Sequence, residues 1–382
     1  MSKEQDKKVL QRIEETIEKI KVKDFNIFFF VFDSKNSPNG NLSYIYQMAK
    51  TLQDKEYNVK MLYQLENEYT PQEIEEIEKK GLAIDENRTF NNVSSWMGEE
   101  YLTLEHINIQ REEWKVSPCD VLFIPEVFSG LMFETFKHNI PCKRYIILQN
   151  FDYITEFIPL GVEWLNYGIK DVITTTKTQE TMVKEIFPYV KTTVVPPFID
   201  NIFRKPIKPK KLIVNIVTKN QSTVNKIIKN FYWKYPTYRF VSFRDLRGFP
   251  RKDFAELLKE GAITIWVDEN TYFGYTPLEA MRCGNIVIGK IPENEPDWMV
   301  ENDKLKNNGI WFDNFRQLPD ILSRVIHSWM NDEIPQILTD KMEETNTLFS
   351  FNEWDKNINT LIENITTQRI DELNNILKSI KK

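Results

Sequence analysis

Residues 272–284 read Tyr272-Phe-Gly-Tyr-Thr-Pro-Leu-Glu-Ala-Met-Arg-Cys-Gly284, and the apolar run Ile286-Val-Ile-Gly289 follows them. This pattern predicts a glycine loop, a short helix and a strand. Thr276 is the expected N-cap, Pro277 the first helical residue, and Gly284 the left-handed residue that ends the helix. Free N–H groups at the start of such a helix favour a phosphate group.

Glu279 has two interpretations on the residues alone. It lies one turn into the predicted helix, where its carboxylate could accept hydrogen bonds from the hydroxyl groups of a ligand. It also has capping-box spacing from Thr276, in which case it would only reach back to the helix start. The surrounding chain has to decide between a ligand-binding and a structural role.

Composition excludes several functional classes. The 382 residues carry a formal net charge of -6 with no long block of one sign, which argues against a nucleic-acid binder. The few cysteines and histidines lie far apart, so neither a disulfide framework nor a transition-metal site is expected. They are Cys119, Cys142, Cys283, His106, His138 and His327. A reducing cytoplasm is the expected location.

Residues 4–22 predict an amphipathic helix with charges of both signs on its polar face. A mixed polar face favours packing on the protein itself, with at most peripheral membrane contact. No run approaches the roughly 18 apolar residues of a spanning helix.

Apolar runs alternate with helical patterns through the first half of the chain, as in a doubly wound α/β domain. Phe25–Phe32 is the first predicted strand, and the turn after it lacks the G-x-G-x-x-G of a dinucleotide site, so NAD is not expected. Another predicted strand, Arg144–Leu148, ends in the polar residues Gln149 and Asn150. Polar residues at this end of a parallel strand can bind a ligand or simply form a turn.

A proline- and lysine-rich stretch, 204–211, has the composition of an exposed linker, and the same α/β rhythm restarts after it. The sequence therefore predicts two Rossmann-like domains that face each other across a cleft. The predicted parts are an N-terminal helix (1–23), a first domain (24–203), the linker (204–211), a second domain (212–345) and C-terminal helices (346–382).

The chain resembles the GT-B glycosyltransferases, and most closely the retaining enzymes of glycosyltransferase family 4. Their donor domain carries Glu-x-Phe-Gly-x-x-x-Leu-Glu-Ala-Met-x-x-Gly, which matches residues 271–284 apart from Thr271 at the first position. Weaker similarities are the stretch Val194–Phe203, the turn Asn39-Gly-Asn41 and the tail from Phe349. The last of these implies that the C-terminal helices return to the first domain. Together they cover residues 24 to about 365.

The resemblance implies a nucleotide-sugar donor in the second domain and an acceptor in the first. It implies that Glu279 binds the ribose hydroxyl groups and that Lys219 stabilises the diphosphate, which makes these two the expected catalytic residues. The other implied donor-binding residues are Phe273, Gly274, Tyr275, Thr276, Leu278, Thr271, Arg247 and Gly248. The implied acceptor-side residues are Gly40, Asn41, Gln149 and Asn150. No metal or cofactor is implied.

Two departures from the family pattern bear on activity. Thr271 replaces the first glutamate of the signature, and Asp268 and Glu269 lie three and two residues before it. Gln149 and Asn150 occupy roughly the place of a frequent histidine, and neither carries a proton-transfer group.

The sequence therefore predicts a cytoplasmic, metal-independent, retaining glycosyltransferase, with a UDP-sugar as donor and a glycan, lipid-linked or protein acceptor, as in polysaccharide biosynthesis. The alternative is a catalytically inactive GT-B scaffold or partner-binding subunit. An epimerase or a phosphorylase on the same fold is a weaker third hypothesis.

Overall fold

A computed structural model of the chain describes residues 3–301 and 304–380. These residues form two compact units. The first contains residues 3–174, 183–195 and 355–380, and the second contains 175–182, 196–301 and 304–354. No helix within the described ranges is long and apolar enough to cross a membrane.

The first unit is built on a seven-stranded, fully parallel sheet with the order β3-β2-β1-β4-β5-β6-β7. Its strands are β1 (Asn26–Phe30), β2 (Asn58–Tyr63), β3 (Glu105–Asn108), β4 (Val121–Pro125), β5 (Lys143–Leu148), β6 (Asp171–Thr174) and β7 (Lys191–Val194). The strand order reverses between β1 and β4. In open α/β sheets, ligands bind beyond the carboxyl ends of the strands at such a switch point.

Helices cover this sheet, so its central strands are apolar on both faces. All five residues of β4 are buried, and Phe29 of β1 stacks on Phe123 of β4 with ring centroids 4.7 Å apart. The helices are α1 (Lys3–Lys21), α2 (Gly40–Asp54), α3 (Pro71–Lys79), α4 (Ser129–Lys137), α5 (Asp152–Phe157) and α6 (Lys177–Ile186), whose first turns belong to the second unit. Ile17 and Ile20 of α1 are buried, so the apolar face of the N-terminal helix packs on the protein as predicted.

The second unit has a five-stranded parallel sheet with the order β14-β11-β10-β8-β9. Its strands are β8 (Lys211–Thr218), β9 (Ser242–Asp245), β10 (Gly261–Val267), β11 (Ile286–Lys290) and β14 (Ile310–Phe312). A small antiparallel pair, β12 (Val300–Glu301) and β13 (Lys304–Leu305), precedes β14. In chain order this is the 2-1-3-4-5 doubly wound arrangement, whose switch point lies between β8 and β10.

The helices of the second unit pack on this sheet around a core that includes Ile265, Leu278 and Ile326. They are α7 (Gln221–Lys234), α8 (Arg251–Glu260), α9 (Tyr275–Arg282), α10 (Leu318–Met330), α11 (Gln336–Leu348) and α12 (Phe351–Ile380), which continues in the first unit from Asp355.

Several predicted elements differ from the structure. The short strands β3 and β7 and the helix α11 were not predicted. The sequence pattern of residues 239–243 predicts a strand, but the strand begins only at Ser242. The patterns of residues 352–365 and 369–378 predict two helices, but these residues form one helix, because residues 366–368 include neither glycine nor proline to end it.

The stretch 204–211 is largely exposed, as its composition predicts. It lies inside the second unit, whose longer segment begins at Pro196, and Lys211 already belongs to β8. Lys210 donates hydrogen bonds from Nζ to the carbonyl oxygens of Leu258 (3.1 Å) and Gly261 (2.9 Å) at the end of α8. Burial lowers the pKa of Lys210 to about 8. Lys210 therefore caps the end of α8 and anchors one end of this exposed stretch to the second unit.

Candidate active site

The switch point of the second sheet carries an ion pair. Lys219 directly follows β8, Asp268 directly follows β10, and the register pairs Thr218 with Val267 at the ends of these strands. Lys219 Nζ lies 3.1 Å from Asp268 Oδ2. The lysine side chain is 78% exposed, so its charge can reach a ligand outside the sheet edge.

The motif loop that follows β10 is tightly constrained. Gly274 has a left-handed φ of 75°, and an added Cβ would lie 3.2 Å from the ring of Trp266 and 3.4 Å from the ring of Trp298. Trp298 also donates its indole N–H to the carbonyl oxygen of Phe273 over 2.5 Å. Only glycine accepts both this φ and this close approach without strain. The loop thus positions the start of α9 near the carboxyl end of β10.

The helix start differs from the prediction. α9 begins at Tyr275 with Gly274 as N-cap, so Thr276 is its second residue and Pro277 its third. Within the described residues, no hydrogen bond joins the Thr276 side chain to Glu279, which overturns the capping-box interpretation. Gly284, with φ 76°, does end the motif in the left-handed conformation as expected.

Glu279 is a buried carboxyl with cationic and anionic neighbours. Its side chain lies in the second turn of α9 and is only 8% exposed. Burial raises its pKa to about 7, while the charge of Arg251 opposes that rise and the charge of Asp200 adds to it. Arg251 Nη1 lies 3.8 Å from Asp200 Oδ2, so the arginine that acts on Glu279 also forms an ion pair with Asp200. A buried carboxyl with a perturbed pKa is a recognised mark of a functional site.

The remaining predicted donor residues fall into two groups. Thr271, Tyr275 and Thr276 are partly exposed along the loop and the first turn of α9. Phe273 and Leu278 are buried in the core, so their backbone groups rather than their side chains could meet a ligand. The burial of Phe273 and Leu278 fixes the backbone conformation of the segment that carries the partly exposed residues.

The acidic residues near Thr271 are already paired. Glu269, two positions before it, contacts Lys290 over 2.9 Å, and Asp268 contacts Lys219. Neither carboxylate therefore occupies the place of the missing glutamate without breaking an ion pair.

Arg247 and Gly248 lie beyond the carboxyl end of β9, at the same edge of the second sheet. Arg247 holds Asp245 through Nε (3.0 Å) and Nη2 (2.6 Å). Gly248 has φ 75° with open space where a side chain would be. This turn leads into α8, whose first residue is Arg251.

The switch point of the first sheet brings together two segments of the predicted acceptor side. Asn39 caps α2 by accepting the N–H of Asn41 over 2.9 Å. Gln149, beyond β5, donates from Nε2 to the Asn41 carbonyl oxygen over 3.0 Å. Gly40 is the first residue of α2. The structure thus joins Gln149 to the adjacent pair Gly40 and Asn41, from which it is far apart in sequence.

Glu126, which follows β4, is a site residue that the sequence analysis missed. Its Oε1 accepts the backbone N–H groups of Gln149 (3.0 Å) and Asn150 (2.8 Å). Burial raises its pKa to about 7 despite these hydrogen bonds, which favour the ionised form. The sequence pattern could have identified Glu126, because it is a polar residue directly after a strongly apolar strand, as Gln149 is.

The three cysteines are buried and unpaired. In the part of the chain that the structure describes, no cluster of three or more His, Cys, Asp or Glu side chains is arranged to hold a metal ion.

Comparison with known proteins yields one curated relative at low identity. No family model matches the sequence. An alpha-1,6-glucosyltransferase of Actinobacillus pleuropneumoniae is 24% identical over 209 residues, which is 51% of this chain. The chain spans 63% of the length of that relative.

The fold is similar to several solved structures over nearly their whole lengths. Sucrose-phosphate synthase from Thermosynechococcus elongatus aligns with a TM-score of 0.59 at 11% identity, covering 90% of this chain and 100% of that one. The pneumococcal O-GlcNAc transferase GtfA, in complex with UDP and GlcNAc, aligns with a TM-score of 0.59 at 9% identity, covering 89% and 99%. Anabaena HepE in complex with UDP-glucose aligns with a TM-score of 0.55 at 11% identity, covering 88% and 99%. With its two parallel α/β sheets and these neighbours, the chain has the fold of the GT-B glycosyltransferases.

Proposed function

We propose that this chain is a cytoplasmic, retaining glycosyltransferase that moves a sugar from a UDP-sugar to a glycan, lipid-linked or protein acceptor without a metal ion. The observation that carries the proposal is Glu279, a buried carboxyl in a short helix that starts at the carboxyl end of β10. The curated glucosyltransferase relative, and the UDP and UDP-glucose complexes of the structural neighbours, support this donor class.

On the donor side, each group has a chemical task. Glu279 accepts hydrogen bonds from the ribose hydroxyl groups. The backbone N–H groups of Tyr275 and Thr276, at the positive end of α9, bind the diphosphate. Lys219 adds a fixed positive charge that stabilises the diphosphate as it departs. These groups supply the charge stabilisation that a metal ion supplies in other transferases.

On the acceptor side, Gln149, Asn150 and the start of α2 orient the attacking hydroxyl group. Neither amide can take its proton near neutral pH. In a retaining transfer on one face of the sugar, the leaving phosphate accepts that proton, so orientation is the main contribution of these residues.

A thermal-shift panel tests the donor class. Uridine, guanosine, thymidine and adenosine diphosphates are compared, each free and as its sugar derivatives, and UDP compounds are expected to raise the melting temperature most. Product analysis by NMR should then show the anomeric configuration of the donor, and EDTA should leave the rate unchanged. An inverted product, or a rate that EDTA abolishes and a divalent cation restores, contradicts the proposal.

A second candidate is a catalytically inactive scaffold that binds a partner. It is favoured by Thr271 at the position of the signature glutamate and by the engagement of Asp268 and Glu269 in ion pairs. No thermal shift with any nucleotide and no turnover of any nucleotide sugar would support it over the enzyme.

A further inference from the structure

The amino edge of the first sheet carries a surface cavity of about 500 Å³. The first residues of β5, β6 and β7, namely Lys143, Asp171 and Lys191, line one side, and Gln368, Arg369 and Glu372 of α12 line another. In a parallel sheet the amino and carboxyl ends of the strands lie at opposite edges. The cavity is therefore separate from the acceptor-side residues that follow β1 and β5.

The cavity wall is strongly cationic. Its charged residues are Lys143, Arg144, Lys170, Lys191 and Arg369 against Asp171 and Glu372, so five positive charges minus two negative charges leave +3.

Both carboxylates are already engaged. Lys143 Nζ lies 3.0 Å from Glu372 and 3.5 Å from Asp171, and Arg369 lies 3.3 Å from Glu372. Burial raises the pKa of Glu372, but its contacts with Lys143 and Arg369 outweigh this and lower it, so the carboxylate stays ionised.

Three cations of the wall remain without an anionic partner. Arg144 donates from Nη1 to the hydroxyl of Thr135 over 3.1 Å. Lys170 and Lys191 are exposed and form no ion pair within the described residues. A backbone hydrogen bond of 2.7 Å from Lys191 N to Lys170 O keeps the two lysines close together. The backbones of the two lysines are thus neighbours at this edge of the sheet, and both residues line the cavity.

We propose that this cavity binds a phosphate monoester. Such a group carries close to two negative charges and three acceptor oxygens near neutral pH, which suits Lys170, Lys191 and the guanidinium of Arg144. The volume falls within the range of small-ligand sites, so the cavity can also enclose part of the organic group that the phosphate carries. The phosphate can belong to a soluble metabolite or to a lipid headgroup.

Calorimetric titration of the full chain with glycerol 3-phosphate tests the soluble source, and flotation with vesicles of phosphatidic acid in phosphatidylcholine tests the lipid source. The double variant Lys170→Gln/Lys191→Gln removes two charge-assisted contacts and should weaken binding by about tenfold or more. The double variant Lys115→Gln/Lys208→Gln removes two exposed lysines elsewhere that form no ion pair with any other described residue, and it is the charge-matched control. Both variants should keep the melting temperature of the parent chain.

Binding of either probe that falls in the cavity variant but not in the control supports the proposal and identifies the source. No binding of either probe, or an equal loss in both variants, overturns it. The UDP-induced thermal shift should be the same in the cavity variant and in the parent. The proposed donor site is thereby tested separately from the cavity.

Discussion

Lys219 and Asp268 face each other at the point where the strand order of the second sheet reverses, with 3.1 Å between Nζ and Oδ2. Each is the first residue beyond its strand, and the two strands are neighbours. The carboxylate holds the exposed ammonium group at the sheet edge, where the motif loop and the start of α9 also lie. In the proposed function, this pair presents a positive charge to the diphosphate of the donor.

Lys219→Gln should weaken UDP binding by about tenfold, because a charge-assisted contact to the diphosphate is lost. Stability should change by less than about 1 kcal/mol, as for other exposed ion pairs. Asp268→Asn should instead strengthen UDP binding, since it removes a negative charge near the diphosphate. Calorimetric titration measures the UDP affinity of both variants. Lys229→Gln, which removes an exposed lysine elsewhere in the second unit, is the control. Equal affinity in Lys219→Gln and the parent would remove Lys219 from the donor site.

Glu279→Ala should reduce UDP affinity by at least about tenfold, because the ribose loses a charged hydrogen-bond acceptor. With no capping box to break, helix α9 should keep its start, and hydrogen exchange over residues 275–282 should match the parent. Uridine and UDP should lose affinity by the same factor, since the contact is to the ribose. A variant that unfolds α9 but binds UDP normally would show that Glu279 is structural.

The raised pKa of Glu279 predicts a pH-dependent stability. The folded protein keeps a proton that the unfolded chain releases between pH 4.5 and about 7, so this contribution is complete below pH 4.5 and is lost as the pH rises through 7. The full effect is about 3 kcal/mol. The free energy of unfolding, measured with urea across this pH window, should fall less with rising pH for Glu279→Gln than for the parent. Glu126 titrates in the same window, so the comparison is repeated in a Glu126→Gln background.

Glu126 should act by positioning Gln149 and Asn150. Glu126→Gln retains a carbonyl oxygen that can accept both backbone N–H groups, whereas Glu126→Ala leaves them without that acceptor. Hydrogen exchange at residues 149 and 150 should accelerate only in the alanine variant. In a transfer assay the alanine variant should raise KM for the acceptor and leave KM for the donor unchanged. Equal exchange in both variants would contradict this role.

Gly274→Ala should destabilise the protein by roughly 1–2 kcal/mol, because alanine is strained at a left-handed φ and its Cβ would press on Trp266. UDP binding should also weaken, because the strained loop displaces the start of α9, whose N–H groups bind the diphosphate in the proposed function. Gly130, in α4, has open space around its Cβ position and no positive φ, so Gly130→Ala should be neutral or stabilising by about 0.5 kcal/mol. Thermal unfolding measures the stability of Gly274→Ala and of Gly130→Ala relative to the parent.

Much of the fold was predictable from local pattern. Buried parallel strands must be apolar on both faces, so runs such as Val121–Pro125 stand out in the sequence. Short strands at the edge of a sheet have no such apolar run. For this reason β3, which contains the polar residues Glu105 and His106, was not predicted. The motif of residues 272–284 predicted a helix after a glycine loop, but not that Gly274, rather than Thr276, would be its cap.

The sequence by itself determined two α/β halves, the position of the motif loop and the polar residues that end the strands, because these depend on neighbours a few positions away. Only the tertiary structure decided which of those polar residues meet. Glu126 reaches Gln149 and Asn150, and Asp268 reaches Lys219, because parallel strands distant in sequence end side by side. The protonation of Glu279 was likewise decided in three dimensions, since it depends on burial and on charges from two other segments.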